Sequence, residues 1–100
     1  YFNRGIAYYN LDQYQRAIED YDKAIQLDPD FAKAYYNRGL DYGNLGEYQQ
    51  AIEDFNKSIQ LDPDYAWAYA NRGSAHLNLR HFAEYRIDKA KACSLDSQYC

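Results

Sequence analysis

Asparagine recurs along this chain at a fixed interval of 34 residues, and its side chain offers a specific chemistry. One row of asparagines opens the three Asn-Arg-Gly triplets, at Asn3, Asn37 and Asn71. A carboxamide provides one acceptor and two donors, which match the N–H and C=O groups of an extended peptide. Each such hydrogen bond contributes about 0.5–1.5 kcal/mol net, so three regularly spaced amides could hold a backbone without reading its sequence.

A second row of asparagines lies seven residues further on, at Asn10, Asn44 and Asn78. Seven residues make two turns of a helix, so both rows would lie along the same helical face. Two roles are open for each row. The first row either contacts a ligand or bridges to neighbouring helices, and the second either extends the site or caps the following turn. We favour ligand contact for the first row and capping for the second.

Other reactive side chains are not arranged for catalysis. The sequence has no phosphate-binding loop, no H-E-x-x-H motif and no nucleophile motif. His76 stands where Tyr8 and Tyr42 stand at the 34-residue spacing, which favours packing over metal binding, and His81 falls in a turn. We therefore predict a protein that is not an enzyme and that has no cofactor and no metal site.

The two cysteines, Cys93 and Cys100, do not form a C-x-x-C pair. Seven residues along a helix span about 10 Å, which is too far for a disulfide unless the chain end bends back. We expect two free thiols, which are typical of a reducing compartment and indicate a cytoplasmic location.

The apolar residues keep the same period and predict helices. In the first unit, residues at i, i+3, i+4, i+7 and i+11 form an apolar stripe: Tyr14, Ala17, Ile18, Tyr21 and Ile25. Acidic residues such as Asp20 fall on the opposite face, which we expect to be solvated. Asp-Pro-Asp separates the units, and Asp30 and Asp64 are expected to cap the helices that follow. The sequence thus predicts six antiparallel helices and an all-α fold.

These residues resemble the tetratricopeptide repeat (TPR) family. Its pattern of spaced aromatic, Gly, Ala and Pro residues is met by Tyr1, Gly5, Tyr8, Ala17, Tyr21 and Pro29, and again by Tyr35, Gly39, Tyr42, Ala51, Phe55 and Pro63. The resemblance implies a right-handed α-solenoid of three helix-turn-helix units within a single domain, residues 1–100. We place the units at 1–31, 32–65 and 66–99, the first truncated at its start and the third degenerate.

The third unit departs from the pattern, because Tyr85 and Lys89 fall where Ala51 and Phe55 stand in the second. Shifting its second helix by two residues would restore the spacing, but Asp88 and other residues keep the 34-residue period without a shift. Both registers stay open. Since terminal repeats are commonly atypical, we expect residues 82–96 to form an imperfect, capping-like helix.

Two charged rows also follow the period: Arg4, Arg38 and Arg72, and Asp20, Asp54 and Asp88. The arginines stand where the family commonly has an apolar residue. One hypothesis pairs each Arg with an Asp between helices, and the alternative leaves two separately solvated rows. Exposed pairs of this kind contribute only about 0–1 kcal/mol.

In the resembled family, the first helix of each unit faces a concave groove, and this places both asparagine rows in the groove. The residues assigned to peptide binding are Asn3, Asn37, Asn71, Asn10, Asn44 and Asn78, with Ile6 and Leu40 between them and Phe2, Tyr36 and Trp67 as apolar pockets. The first row resembles the asparagine ladder of the transferase that attaches N-acetylglucosamine to Ser/Thr.

A second binding mode of the family is a clamp of Lys, Arg and Asn that grips the terminal carboxylate of chaperone tails. The matching places in this chain are Phe2, Ile6, Asn37, Trp67 and Asn71, of which only Asn37 fits. We therefore expect no binding of chaperone tails.

Charge and hydropathy narrow the partner further. A net charge of −4 argues against nucleic acid, and the sequence has no apolar run long enough to span a membrane. We expect a non-catalytic interaction module that binds an extended or helical segment of a partner protein in the groove. The alternative is structural: the chain begins inside a repeat, so it would be cut from a longer array and could self-associate through its aromatic end faces.

Overall fold

Six α-helices and a final 3₁₀ turn make up the computed structural model, which describes residues 1–100 and contains no strand. The helices are α1 (Phe2–Asn10), α2 (Tyr14–Leu27), α3 (Ala32–Asn44), α4 (Tyr48–Leu61), α5 (Ala66–Asn78) and α6 (Phe82–Leu95), and the 3₁₀ turn is Ser97–Tyr99. Each helix packs mainly against the helices before and after it in the chain, and α3 also touches α1 and α5. The all-α prediction is confirmed.

The starts of α3 and α5 differ from the prediction. Asp30 and Asp64 do not cap these helices, because the cap positions belong to Phe31 and Tyr65, which make no side-chain cap hydrogen bond. The Phe31 ring packs on Phe2 with centroids 4.5 Å apart, so aromatic packing holds the start of α3. The N–H of Asp30 instead donates to the Asp28 carboxylate at 3.1 Å, which closes a local Asx turn.

Glycine lets the two helices of a unit approach each other closely. A Cβ atom added at Gly5 would lie 2.7 Å from Cε1 of Tyr21, and one at Gly39 would lie 2.8 Å from Cε1 of Phe55. Both rings are almost completely buried. The repeated Gly-aromatic pair therefore sets the distance between α1 and α2 and between α3 and α4.

Each arginine of the charged row binds the aspartate of its own unit. Arg38 donates from Nε and Nη2 to the two carboxylate oxygens of Asp54, at 2.8 and 2.7 Å. The same pair of bonds joins Arg4 to Asp20 and Arg72 to Asp88. The pairing hypothesis is confirmed. The expectation of a solvated Asp20 is wrong, because all three carboxylates are buried beneath their guanidinium partners.

The same contacts settle the register of α6. Asp88 binds Arg72 and is buried together with Ala92, as expected if the helix keeps the 34-residue period without a shift. The helix is nevertheless imperfect. Lys89 replaces the buried ring of the first two units, and Phe82 and Ile87 are exposed.

Cys93 and Cys100 form a disulfide, with their Cα atoms 4.7 Å apart. The expectation of two free thiols is wrong, because residues 93–100 do not continue as one helix. The chain leaves α6 at Leu95, Asp96 is extended, and the 3₁₀ turn bends the end back towards Cys93.

Candidate functional site

The asparagine rows lie on α1, α3 and α5, the first helices of the three units, and α3 lies between the other two. Between α3 and α5 is a cavity of about 200 Å³. It is lined by groove residues predicted from the sequence, Leu40, Asn44, Asn71 and Asn78, together with Ser74, and its inner wall is formed by Gly39, Gly43, Tyr48, Ala51, Phe55 and Ala75. The fold thus brings together four of the assigned residues, one pair from the second unit and one from the third. Asn37, Tyr36, Trp67 and the assigned residues on α1 do not line this cavity.

The three first-row amides differ in what they can still bind. Asn71 Nδ2 donates to the Tyr36 hydroxyl at 2.9 Å and to the carbonyl of Trp67 at 2.8 Å, so both of its donor hydrogens are used. Its Oδ1 has no hydrogen-bond partner. Asn37 makes no comparable bond, because Phe2 stands where Tyr36 stands and has no hydroxyl. Asn3 is exposed and Asn37 half-buried, and both amides keep their full hydrogen-bonding capacity.

The second-row asparagines do not cap the turns. None of α2, α4 and α6 has a side-chain cap hydrogen bond, so the capping prediction is wrong. Asn78 Nδ2 donates to the carbonyl of Ser74 one turn earlier in α5, and Asn10 and Asn44 are exposed. This bond lies within α5 and does not reach the start of α6.

The three aromatic residues assigned as pockets lie at different depths. Tyr36 is only 7% exposed and belongs to the core cluster with Ala51, Phe55 and Ala68. Phe2 is half-buried against Phe31. Trp67 is 50% exposed, with its ring centroid 5.8 Å from that of Tyr65, and is the most open of the three. Tyr36 is thus a core residue, whereas Trp67 lies outside the cavity between α3 and α5 and lines a separate hollow with Tyr65 and Leu95.

Sequence reasoning missed Gly43, whose absent side chain creates space in the groove. A Cβ atom added there would meet no atom within 4 Å. The matching residues of the other units are Tyr9 and Leu77, which would fill this space. A comparison of the units at the 34-residue spacing would have revealed the difference.

The other residue that was missed is Asp41, which replaces an alanine of the other two units, Ala7 and Ala75. Asp41 is 0% exposed and neither carboxylate oxygen has a hydrogen-bond partner. Burial raises the pKa of this carboxyl from its ordinary value of 3.8 to about 7. Its charge acts on the phenols of Tyr14 and Tyr21, which places it against α2, at the junction between the first and second units.

The two histidines contact each other at the turn between α5 and α6, with their Nδ1 atoms 3.2 Å apart. Burial lowers the pKa of His76, which lies 4.0 Å from Asp88. No group of three or more His, Cys, Asp and Glu side chains is arranged to hold a metal ion. None of the helices combines the length and the apolar composition needed to cross a bilayer.

Comparison with known proteins identifies the fold family. The model of the tetratricopeptide repeat family matches residues 1–31 and 32–65. The chain belongs to the TPR family. Among curated proteins, none matches the sequence significantly.

Solved TPR domains superpose on most of this chain. The Arabidopsis OM64 TPR domain is 32% identical with a TM-score of 0.95, over 97% of this chain and 80% of that one. The first TPR of Spaghetti (RPAP3), bound to the HSP90 peptide SRMEEVD, is 28% identical with a TM-score of 0.94, over 96% and 76%. The second TPR domain of human RPAP3, in complex with the HSP70 peptide SGPTIEEVD, is 32% identical with a TM-score of 0.91, over 95% and 79%. The right-handed TPR solenoid is therefore the fold of this chain.

Proposed function

We propose that this TPR domain is a non-catalytic interaction module that binds an extended segment of a partner protein in the groove formed by α1, α3 and α5. Two structurally similar TPR domains were solved with peptides bound, which supports a peptide as the ligand. The observation that carries the proposal is the row of unused amide groups on α1, α3 and α5, of which only Asn71 lines the cavity. Asn3 and Asn37 keep all their hydrogen-bonding groups, and Asn71 keeps Oδ1.

Backbone recognition would differ along the row. Asn71 can only accept, so it would take a peptide N–H, whereas Asn37 and Asn3 can each take an N–H and give to a C=O. Because the Tyr36 hydroxyl and the Trp67 carbonyl hold the Asn71 side chain in place, little side-chain entropy is lost when it binds. The fixed Asn71 would set the position of the peptide, and the other two amides would extend the contact.

Side-chain selection would come from the cavity between α3 and α5. Its wall includes Leu40, Ala51, Phe55 and Ala75, and no Lys, Arg, Asp or Glu lines it. A buried charge without a partner is costly, so the cavity favours an uncharged, apolar side chain of the peptide. Trp67, which is half exposed and lies outside this cavity, would offer a second apolar surface.

The same residues support an interaction role in place of a catalytic one. Ser74 is the one serine or threonine that lines the cavity, so it is the candidate nucleophile. Its hydroxyl donates to the carbonyl of Ala70 at 3.2 Å. No histidine or carboxylate lines the cavity to act as its base. Nucleophilic catalysis needs such a base within hydrogen-bond reach of the nucleophile.

A peptide array tests the proposal with three variants of verified fold. The Asn3/Asn37/Asn71→Ala variant removes the backbone contacts, and Gly43→Leu fills the cavity with the residue type of the third unit. Gln60→Ala is the matched control, because it removes an exposed amide on α4, outside the groove. We expect peptides bound by the parent and the control to be lost with both groove variants. Equal binding by all four proteins would place the site elsewhere, and no binding by the parent would refute a peptide-binding role.

A further inference from the structure

On the second helix of each unit, three residues at i, i+4 and i+8 form a stripe on the side that faces the position of the next unit. The stripe is Tyr14, Ile18 and Asp22 on α2, Tyr48, Ile52 and Asn56 on α4, and Phe82, Arg86 and Ala90 on α6. Residues at this spacing share one helical face, so the three stripes are equivalent surfaces in successive units.

The next helix covers the stripe in the first two units. Arg38 of α3 donates from Nη1 to Asp22 at 2.8 Å, and Arg72 of α5 donates from Nη1 to Asn56 at 2.9 Å. One turn before these acceptors, the central isoleucines of the two stripes are buried: Ile18 is 3% exposed and Ile52 is 5% exposed. The stripe is thus the junction surface between units: an apolar centre next to an acceptor for the incoming arginine.

The stripe on α6 has the same place but different chemistry. Arg86 replaces the central isoleucine, and Ala90 replaces the acceptor. Lys89 beside it replaces the buried ring of Tyr21 and Phe55. Both cations are exposed, and neither is part of a salt bridge.

A further copy of this chain would fit this surface poorly. The helix that it would present is α1, whose Arg4 stands in the place of Arg38. Arg4 would find no acceptor at Ala90 and would approach Arg86. Like charges brought together at an interface are unfavourable, so the stripe disfavours end-to-end growth of the array.

We propose that the α6 stripe, together with Lys89, is a docking surface for an acidic helix of a partner protein. Neither cation makes a salt bridge, although Lys89 Nζ lies 5.9 Å from the centroid of the Tyr85 ring. Within a chain of net charge −4, Arg86 and Lys89 form a local positive surface that complements acidic side chains. Beside them lies a hollow of about 340 Å³, lined by Arg86, Lys89, Ala90, Cys93, Tyr99 and Cys100. The disulfide holds the chain end that carries Tyr99 against this hollow.

The geometry defines what the partner helix should look like. It would place small or apolar residues over Phe82 and Ala90, because neither of these side chains offers an acceptor for an incoming arginine. Its Asp or Glu residues would be three or four positions apart, which matches the spacing of Arg86 and Lys89 on α6. The surface is separate from the groove, so this inference does not depend on the groove being a peptide site.

A pair of peptides tests the charge preference directly. Both are helix-stapled peptides of residues 31–45, the segment that covers the stripe on α2, and one of them carries Arg38→Glu. We expect the Glu peptide to bind the parent protein at least tenfold more tightly than the Arg peptide in fluorescence anisotropy, with affinity that falls as salt is added. Equal affinities, or no binding of the Glu peptide, would overturn the proposal.

Two variants give the control for this experiment. Arg86→Ile/Lys89→Phe restores the residues of the second unit and should remove the preference for the Glu peptide, while Gly43→Leu alters only the groove and should leave it unchanged. A preference that survives Arg86→Ile/Lys89→Phe, or is lost with Gly43→Leu, would contradict docking on α6. Concentration-dependent dimerisation in sedimentation equilibrium that is lost on changing Arg86 and Lys89 would identify a second copy as the occupant and would also overturn it.

Discussion

Replacing Asp41 by alanine should stabilise this protein, and by more at pH 8 than at pH 4. The substitution removes a buried carboxyl without a hydrogen-bond partner and installs the residue found at the same place in the other units, Ala7 and Ala75. Alanine also has a higher helix propensity than aspartate, which adds roughly 0.5 kcal/mol at any pH.

The magnitude follows from the pKa of Asp41, which burial raises from 3.8 to about 7. Below pH 3.8 the carboxyl is protonated in both the folded and the unfolded chain, so ionisation costs nothing. Between pH 3.8 and about pH 7 the folded chain holds one more proton than the unfolded chain, so the free energy of unfolding falls by about 1.36 kcal/mol per pH unit. The full loss above pH 7 would be about 4 kcal/mol. Water that reaches the ionised carboxylate would reduce it, so we expect about 2–4 kcal/mol.

Urea denaturation followed by circular dichroism at pH 4.5, 6 and 8 measures this effect in the parent and in Asp41→Ala. The difference between the two proteins cancels the pH dependence of all other groups, and it should grow by about 2–4 kcal/mol from the lowest to the highest pH. Asp41→Asn keeps the shape without the ionisation and should show the same pH dependence as Asp41→Ala. A difference that is constant with pH, or a parent that is more stable than Asp41→Ala at pH 8, would refute the assignment of an unpartnered buried carboxyl.

Three further outcomes are expected. Arg38→Leu should lower the free energy of unfolding by about 3 kcal/mol, because it leaves Asp54 buried without its partner. Arg38→Leu/Asp54→Leu should recover most of this loss. If urea denaturation shows that Arg38→Leu is as stable as the parent, the ion pair does not contribute to stability. Gly43→Leu should raise stability by about 0.5–1 kcal/mol, since glycine within a helix is unfavourable and the added side chain enters open space; a lower melting temperature would show that the space is needed for folding. The peptide SRMEEVD should show no saturable binding in fluorescence anisotropy, because the basic residues of the chaperone-tail clamp are missing from this chain, and micromolar affinity would contradict that reading.

The repeat period predicted much of the fold because periodic residues report directly on packing. The apolar stripe of α2 predicted a helix, and the TPR-like spacing of Gly5 and Tyr21 predicted helix-turn-helix units. The matched spacing of Arg38 and Asp54 suggested their bond. These inferences succeeded because each depends on residues within one unit, whose geometry recurs in the next.

The misses have a different origin, since each depends on contacts that the period does not encode. The disulfide requires the chain to leave α6 at Leu95, which no residue spacing within a helix reveals. The cap positions of α3 and α5 are occupied by aromatic residues because Phe31 packs on Phe2 and Tyr65 packs on Tyr36. These contacts outweigh the capping preference of Asp30 and Asp64.

Within the candidate site, the repeat spacing predicted the row of amides but not which of their hydrogen-bonding groups are already occupied. The donors of Asn71 are occupied because a tyrosine hydroxyl lies within reach on the neighbouring helix, a contact that only the fold makes visible. Asp41 and Gly43 could have been found by asking which positions break the repeat. Both stand where the other units carry a different type of residue.

The placement of Asp41 also bears on how cooperatively this protein unfolds. Because each helix contacts mainly its neighbours along the chain, the folding free energy is approximately a sum of contributions from units and from the junctions between them. The orphan carboxylate weakens the junction between α2 and α3, whereas Ala75 leaves the junction between α4 and α5 intact. At neutral pH, amide hydrogen exchange should therefore report a lower opening free energy in α1 and α2 than in α3 to α6, and acid should merge the two blocks into one. The amide of Asn3 belongs to the block that opens first, so the length of the assembled groove would itself vary with pH.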